Sequence, residues 1–283
     1  MKADHAMLVP EGVGPARVTA WRDGRVDEQP DWLADEVPVA LVFNGISHAV
    51  MLASPTGLED FALGFGLTEG LLASPAELYG VEVCEVAQGI ELRLEVASAC
   101  AWRLKERRRT LAGRTGCGLC GTDSLAQVRR ELPAAPPTRL RAGALARAQR
   151  ELRQGQALQQ LTGAAHAAAW CTPDGAVQLV REDIGRHNAL DKLVGAMVRA
   201  AVVPHQGFIA ITSRASFEMV QKTVAAGVGA LAAVSAPTAL AVRTARECGL
   251  ALAGFVRGDD GVAYTFPERF GLAPNTSTSD HGH

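Results

Sequence analysis

Two cysteines stand in Gly116-Cys117-Gly118-Leu119-Cys120-Gly121, a C-x-x-C with glycine on both sides. Thiols at this spacing can share a metal ion, close a disulfide, or pass a sulfur atom from one to the other. The glycines allow positive φ and let a bulky partner come close to the backbone. Arg107, Arg108, Arg109 and Arg114 lie just upstream, and neighbouring positive charge lowers a thiol's pKa toward the reactive thiolate. On the motif alone, a reactive thiol and a metal site stand level, with two inert buried cysteines behind them.

The rest of the chain bears on that choice. A structural zinc site wants four ligands, and the remaining cysteines, Cys84, Cys100, Cys171 and Cys248, are scattered singly. Nucleobase deaminases join H-x-E to P-C-x-x-C; here Gly116 replaces the proline and no suitably placed His-x-Glu or Cys-x-Glu precedes it. A zinc-dependent deaminase-like enzyme therefore lacks its proton-transfer glutamate and a metal ligand, and no intrinsic metal is expected. A thioredoxin-like role wants the motif beside a βαβ unit, whereas this one follows two hairpins in a glycine-rich loop.

Composition narrows the classes. The 283 residues are 48% hydrophobic and 20% charged with a formal net charge of −2, which argues against a nucleic-acid binder with a basic face. Met1 to Val9 carries Lys2, Asp4 and His5 and no long apolar run, so no signal peptide is read and a reducing, cytoplasmic setting is expected. Thr223 to Val242 is uncharged over about the length of a membrane span. Its small residues and its Ser235-Ala236-Pro237-Thr238 suit a buried strand, turn and helix better, so no membrane association is expected.

The elements that must position any site read as follows. Residues 1–35 form a flexible or edge segment with one strand over Arg17 to Trp21. An N-terminal α+β region, 36–137, holds hairpins over Val39–Leu52, turning at Asn44-Gly45, and over Val81–Val96. Between them, Thr56-Gly57-Leu58-Glu59 has the spacing of a capping box before a helix over Leu58 to Leu72. Gly64, Gly66 and Gly70 weaken that helix, so close packing must support it. The region ends in the C-x-x-C loop, where Thr122-Asp123-Ser124 can cap a short helix, and in a linker at Pro133, Pro136 and Pro137. From 138 to 270, after a helix over Ala144–Arg153 and a hairpin over Ala165–Arg181, strands and helices alternate. That rhythm predicts an α/β domain with parallel strands buried on both faces. The tail, 271–283, is expected to be disordered.

In such a sheet, ligands gather at the carboxyl ends of the strands. Polar residues follow each expected strand: Glu182 to Asn188, Thr212 to Ser216, Ser235 to Thr238, and Arg257 to Asp260. Four such junctions on one edge build an anion or nucleotide site, with Arg186, Arg214 and Arg257 for phosphate. Ser216 and Thr238 are assigned to helix capping. His187 can move protons near neutral pH, although a lone histidine is more often structural.

Several of these motifs occur together in one family. The C-x-x-C loop, the run Glu182-Asp183-Ile184-Gly185-Arg186-His187-Asn188-Ala189-Leu190-Asp191-Lys192, and Ser213-Arg214-Ala215-Ser216-Phe217-Glu218-Met219 resemble the FdhD family of formate dehydrogenase accessory sulfurtransferases. So do Leu63-Gly64-Phe65-Gly66-Leu67-Thr68-Glu69-Gly70, Ser235-Ala236-Pro237-Thr238 and Gly254-Phe255-Val256-Arg257-Gly258. The resemblance spans about Glu36 to Phe266.

The resemblance implies a three-layer α/β/α, cytidine-deaminase-like C-terminal domain without the zinc, joined to a smaller hairpin-rich region, in a homodimer. It implies a carrier that accepts sulfur from a cysteine desulfurase as a cysteine persulfide. The sulfur then passes to the molybdenum (or tungsten) bis-guanine-dinucleotide cofactor destined for formate dehydrogenase. Cys117 resembles the persulfide carrier and Cys120 its partner, which either displaces sulfide by forming a disulfide or assists without bonding. The cofactor-binding stretch maps to Phe255, Val256, Arg257, Gly258, Asp259 and Asp260, with Arg214, Ser235, Arg186 and His187 as further contacts from the sheet edge. Asp259 and Asp260 add negative charge beside that phosphate site. The rival from another class is a non-catalytic chaperone that binds the cofactor and uses the cysteines only to gate a loop.

Overall fold

The computed structural model describes residues 9–112 and 132–272. The C-x-x-C loop, the cap at Thr122-Asp123-Ser124 and the tail from 273 lie outside the described residues.

The chain opens with a two-stranded ribbon, β1 (Val13–Arg22) and β2 (Arg25–Ala34), turning at Asp23-Gly24 with positive φ at both. Sequence reading expected a single edge strand here. In β1 half-buried Ala16, Val18 and Ala20 alternate with exposed residues, but nothing in the ribbon is fully buried and β2 is mostly exposed, so the apolar pattern is weak.

A four-stranded sheet follows, ordered β4-β3-β6-β5: β3 (Val37–Phe43), β4 (Ile46–Ala53), β5 (Leu78–Val86) and β6 (Gly89–Val96). Asn44 and Gly45 turn the first hairpin at φ 45° and 78°, as expected for the dipeptide. The Asn44 amide also clamps β6, donating to the Val96 carbonyl and accepting its N–H, both at 2.8 Å. Val39, Leu41, Phe43, Leu92, Leu94 and Val96 form the buried face. Helix α1 (Leu58–Thr68) covers it through Leu58, Phe61 and Phe65. This helix stops four residues before Leu72. Its N-cap is Gly57 in the left-handed region with no side-chain cap, so the capping box from Thr56 and Glu59 does not form. Helix α2 (Ser98–Ala112) leads toward the cysteine loop.

The larger sheet has six strands in the order β12-β11-β10-β9-β7-β8. They are β7 (His166–Cys171), β8 (Val177–Asp183), β9 (Phe208–Ile211), β10 (Ala230–Ala233), β11 (Ala251–Arg257) and β12 (Asp260–Thr265). Strands β9, β10 and β11 are parallel; β7 and β12 run against their neighbours, and β8 runs against β7. The sheet is therefore mixed rather than wholly parallel. Alternate residues face opposite layers. Ala168, Trp170, Ile209, Ile211, Leu231 and Leu252 meet α5 (Arg186–Arg199), α6 (Phe217–Ala225) and α7 (Ala239–Cys248). Ala167, Ala169, Ala210, Ala232, Ala251 and Ala253 meet α3 (Ala144–Gln154), whose own Ala144, Ala148 and Leu152 complete that layer. Small residues on both sides let the helix sit close to the sheet. A short helix, α4 (Ala157–Thr162), joins α3 to β7; its six residues were too few to register as a helical pattern. The result is the three-layer α/β/α arrangement that the resemblance implied. The uncharged stretch 223–242 is the end of α6, the fully buried β10 and the start of α7. Among the described residues no helix is long and apolar enough to cross a membrane.

The two sheets meet where α1 crosses α5. A side chain on Gly64 would collide with the Asp191 carbonyl, and one on Gly195 with the Asp60 carbonyl. Here is the close packing that the glycines of α1 require. The proline segment is no loose tether: Ala135 donates to the Cys248 carbonyl and Leu140 to the Arg269 carbonyl, each at 2.7 Å, with Leu140 buried.

Candidate functional site

Because β8 runs in the same direction as β9, β10 and β11, the carboxyl ends of all four strands lie on one edge. The antiparallel β7 brings its amino end to that edge, so His166 stands opposite Asp183. The edge is the expected location for a ligand.

The run from Glu182 to Lys192 divides between architecture and edge. Asp183 is fully buried and accepts hydrogen bonds from Ser54 N (3.0 Å), Gly185 N (2.7 Å) and Asn188 Nδ2 (3.0 Å). Lys192 Nζ lies 2.6 Å from it and also donates to the Ser54 carbonyl at 3.0 Å. Burial pulls the Lys192 pKa down, against the attraction of Asp183. The preceding residue, Asp191, takes both of its oxygens to Lys222 Nζ at 2.8 Å and accepts from Thr68 Oγ1 at 2.6 Å. Burial disfavours charge on Lys222, but Asp191 and Glu69 outweigh it and raise its pKa. Thus Asp183, Asn188, Asp191 and Lys192 tie the two sheets together; buried charges need such partners.

Arg186 and His187 begin α5 and face the edge. His187 Nε2 lies 2.9 Å from Glu218 Oε2, which also accepts from Ser216 Oγ at 3.3 Å. The His187 hydrogen bond, opposed by partial burial, pulls the Glu218 carboxyl down to about 2. Arg186 has a buried Nε with no hydrogen-bond partner among the described residues. Half-buried His166 completes the group; burial, then the charge of Arg186, lowers its pKa. Sequence reasoning missed His166 and the role of Glu218. His166 opens a strand that the hairpin pattern revealed, but only the antiparallel placement of β7 brings its amino end to this edge.

Arg214 is exposed at the end of β9, and Ser235 is half-buried after β10. A parallel bridge between Ala215 and Pro237 joins the two loops. Thr238 caps α7, accepting from Ala241 N at 3.2 Å. Ser216 makes no side-chain cap and turns to Glu218 instead, against the expectation of capping.

The last junction differs most. No helix follows β11; Arg257 pairs with Asp260 and a hairpin turns back into β12 through Gly258 at φ 59°. The registers slip between Gly254 and Arg257, and within that bulge Phe255 adopts φ 53° with 43% of its surface exposed. A non-glycine residue at positive φ is strained, and such strain clusters at functional positions. Phe255 N donates to the Ser235 carbonyl at 3.3 Å, which holds it on the edge. Val256 is buried. Gly258, Asp259 and Asp260 line a separate cavity of about 270 Å³ with Gly143, Leu145 and Phe270. The edge therefore gathers Arg186, His187, Arg214, Ser235 and Phe255, while the hairpin tip carries Arg257 to Asp260.

Cys117 and Cys120, the candidate chemical residues, lie outside the described residues. Among the described residues no three His, Cys, Asp or Glu side chains group to hold a metal ion.

Fold and edge together define a three-layer α/β protein whose strand ends carry a row of polar side chains. The chain belongs to the FdhD/NarQ family, whose model matches residues 34–271. It is 64% identical over 245 residues to the sulfur carrier protein FdhD of Variovorax paradoxus, covering 86% of this chain and 88% of the relative. It is 57% identical over 249 residues to the protein of the same name from Bordetella petrii, covering 87% and 89%. The fold matches the crystal structure of a candidate formate dehydrogenase accessory protein from Desulfotalea psychrophila. The TM-score is 0.74 at 21% identity, over 91% of this chain and 99% of that one.

Proposed function

We propose that the chain is a sulfur carrier that serves the maturation of formate dehydrogenase. It takes sulfur from a cysteine desulfurase on Cys117 and delivers it to the molybdenum (or tungsten) bis-guanine-dinucleotide cofactor. The observation that carries the reading is the 64% identity to a relative named a sulfur carrier, over nearly its whole length, in a chain that has the glycine-flanked cysteine pair.

The chemistry balances as thiol exchange. The Cys117 thiolate attacks the outer sulfur of the donor's persulfide, the donor S–S bond breaks, and the donor leaves as a thiolate while Cys117 becomes a persulfide. No net oxidant is needed for this transfer. The cofactor is cargo, and the strand-end edge has the chemistry to hold it. Arg186 and Arg214 suit phosphate, Ser235 offers a hydroxyl, and exposed Phe255 offers a ring face for a planar heterocycle. Positive charge near the edge also favours bringing an anionic cargo to the donor loop. A second copy of the chain, in a homodimer, and a cytoplasmic setting belong to the same reading.

Intact-mass analysis after incubation with a cysteine desulfurase and cysteine tests it. The expected result is gain of one reductant-labile sulfur that is lost in Cys117→Ala and retained in Cys120→Ala. An unloaded wild type, with the donor active on another acceptor, overturns the carrier reading in favour of a binding chaperone.

A further inference from the structure

The β1–β2 ribbon is the part of the chain that neither the two cores nor the family match accounts for. The family model begins at residue 34, the last residue of β2. Nothing in the ribbon is fully buried, and among the described residues neither of its outer edges has a strand partner. A two-stranded ribbon is only marginally stable in water by itself.

Its two faces differ. Cross-strand partners share a face, and successive pairs alternate between faces. One face carries the half-buried row Ala16, Val18 and Ala20, with half-buried Gln29 on β2, which lies against α4. The other face is open. From base to tip it carries Pro15 beside Trp32, then Arg17, then Glu28, then Trp21 beside Val26. All of these are exposed except half-buried Trp32, and Trp21 and Val26 reach 79% and 67%. Arg17 and Glu28 stand 3.9 Å apart with side chains 87% and 75% exposed, a geometry worth little within one ribbon. Tryptophan and arginine, by contrast, are the residue types that dominate protein interfaces.

The order of these groups is self-complementary. In a second ribbon laid face to face and turned end for end, with the two-fold axis crossing at the Val18–Gln29 pair, each apolar tip falls on the other's apolar base. Trp21 and Val26 then cover the partner's Pro15 and the partner's Trp32. Arg17 comes opposite the partner's Glu28, and no like charges meet. A two-fold contact requires this reciprocity, in which one residue meets a second and the second meets the first.

We infer that the open face of the ribbon is a contact between two copies of this chain, anchored by Trp21 on the partner's Pro15 and flanked by reciprocal Arg17–Glu28 pairs. The inference rests on the proposed reading for the existence of a homodimer; the choice of surface rests on the ribbon.

Sedimentation velocity of the full chain over a dilution series tests it. The wild type is expected to dimerise, with the dimer weakened about thirtyfold or more in Trp21→Ser, the scale of an interface hot spot. Arg17→Glu sets two carboxylates against each other across the contact, and Glu28→Arg sets two guanidinium groups. Each variant alone should weaken the dimer, and mixing the two should restore it as a heterodimer. Mixing separates a contact between copies from the ion pair within one ribbon, which it cannot repair. All three positions are exposed and outside both cores, so each variant should melt with the wild type. A monomeric wild type overturns the inference. So does a dimer unchanged in all three variants, and so does a mixture no more associated than its components. Persulfide loading of Cys117, read by intact mass on the same samples, keeps the two readings apart. A monomer that loads sulfur overturns the ribbon contact and leaves the carrier standing, and a ribbon-dependent dimer that fails to load does the reverse.

Discussion

Replacing Lys192 by methionine tests whether the junction between the two sheets depends on a buried ion pair. Lys192 is 1% exposed and Asp183 not at all, with 2.6 Å between Nζ and the carboxylate. Removing one partner of such a pair costs ~3–5 kcal/mol, because a charge stays buried without its counterion. Asp183 retains three N–H donors, from Ser54, Gly185 and Asn188, so the lower end, ~3 kcal/mol, is expected. In a chain of this size each kcal/mol moves the melting temperature by roughly 2–4 °C. Lys192→Met should therefore melt roughly 6–12 °C below the wild type in a thermal scan. Adding Asp183→Asn removes the stranded charge and should recover ~1 kcal/mol or more of that loss, a coupling measurable by a double-mutant cycle. A single variant within ~2 °C of the wild type, or strictly additive losses, would refute the reasoning.

Three further outcomes follow from particular contacts. Gly64→Ala should destabilise the protein by about 3 kcal/mol or more, since its methyl group meets the Asp191 carbonyl across the α1–α5 crossing; a melting point equal to wild type would show that the helices can part cheaply. Glu218 titrates at about 2 in the folded state against an ordinary 4.5, so between those values the folded state binds fewer protons than the unfolded one. Its contribution is present above about 4.5 and lost as pH falls toward about 2. A flatter acid limb in the stability profile of Glu218→Gln would register it, and an unchanged limb would sink it. Phe255→Gly removes the strain of φ 53°, worth about 1 kcal/mol or more against the flexibility glycine adds. The variant should be at least as stable as wild type while binding GDP more weakly; unchanged or stronger binding would contradict a stacking role.

Much of this molecule is legible in its residues because local chemistry dictates it. Asn44-Gly45 turns a hairpin wherever apolar strands flank it, the alternation after residue 181 demands strands and helices in layers, and Gly116 to Gly121 advertises thiol chemistry by spacing alone. The thirty-odd N-terminal residues were harder, because a ribbon with no fully buried residue carries only a weak burial pattern to read. What only tertiary structure decided is the sorting of polar residues by role. In Glu182–Lys192, neighbouring side chains serve different ends: Asp183 and Lys192 neutralise each other in the core, while Arg186 and His187 reach the edge. Spacing cannot separate these, because whether a charge is structural depends on which opposite charge folding brings beside it. The same holds for His166, an ordinary residue until an antiparallel strand brings its amino end to this edge. Local sequence sets which elements form. Which polar groups remain for a ligand is settled by the long-range partners that satisfy all the others.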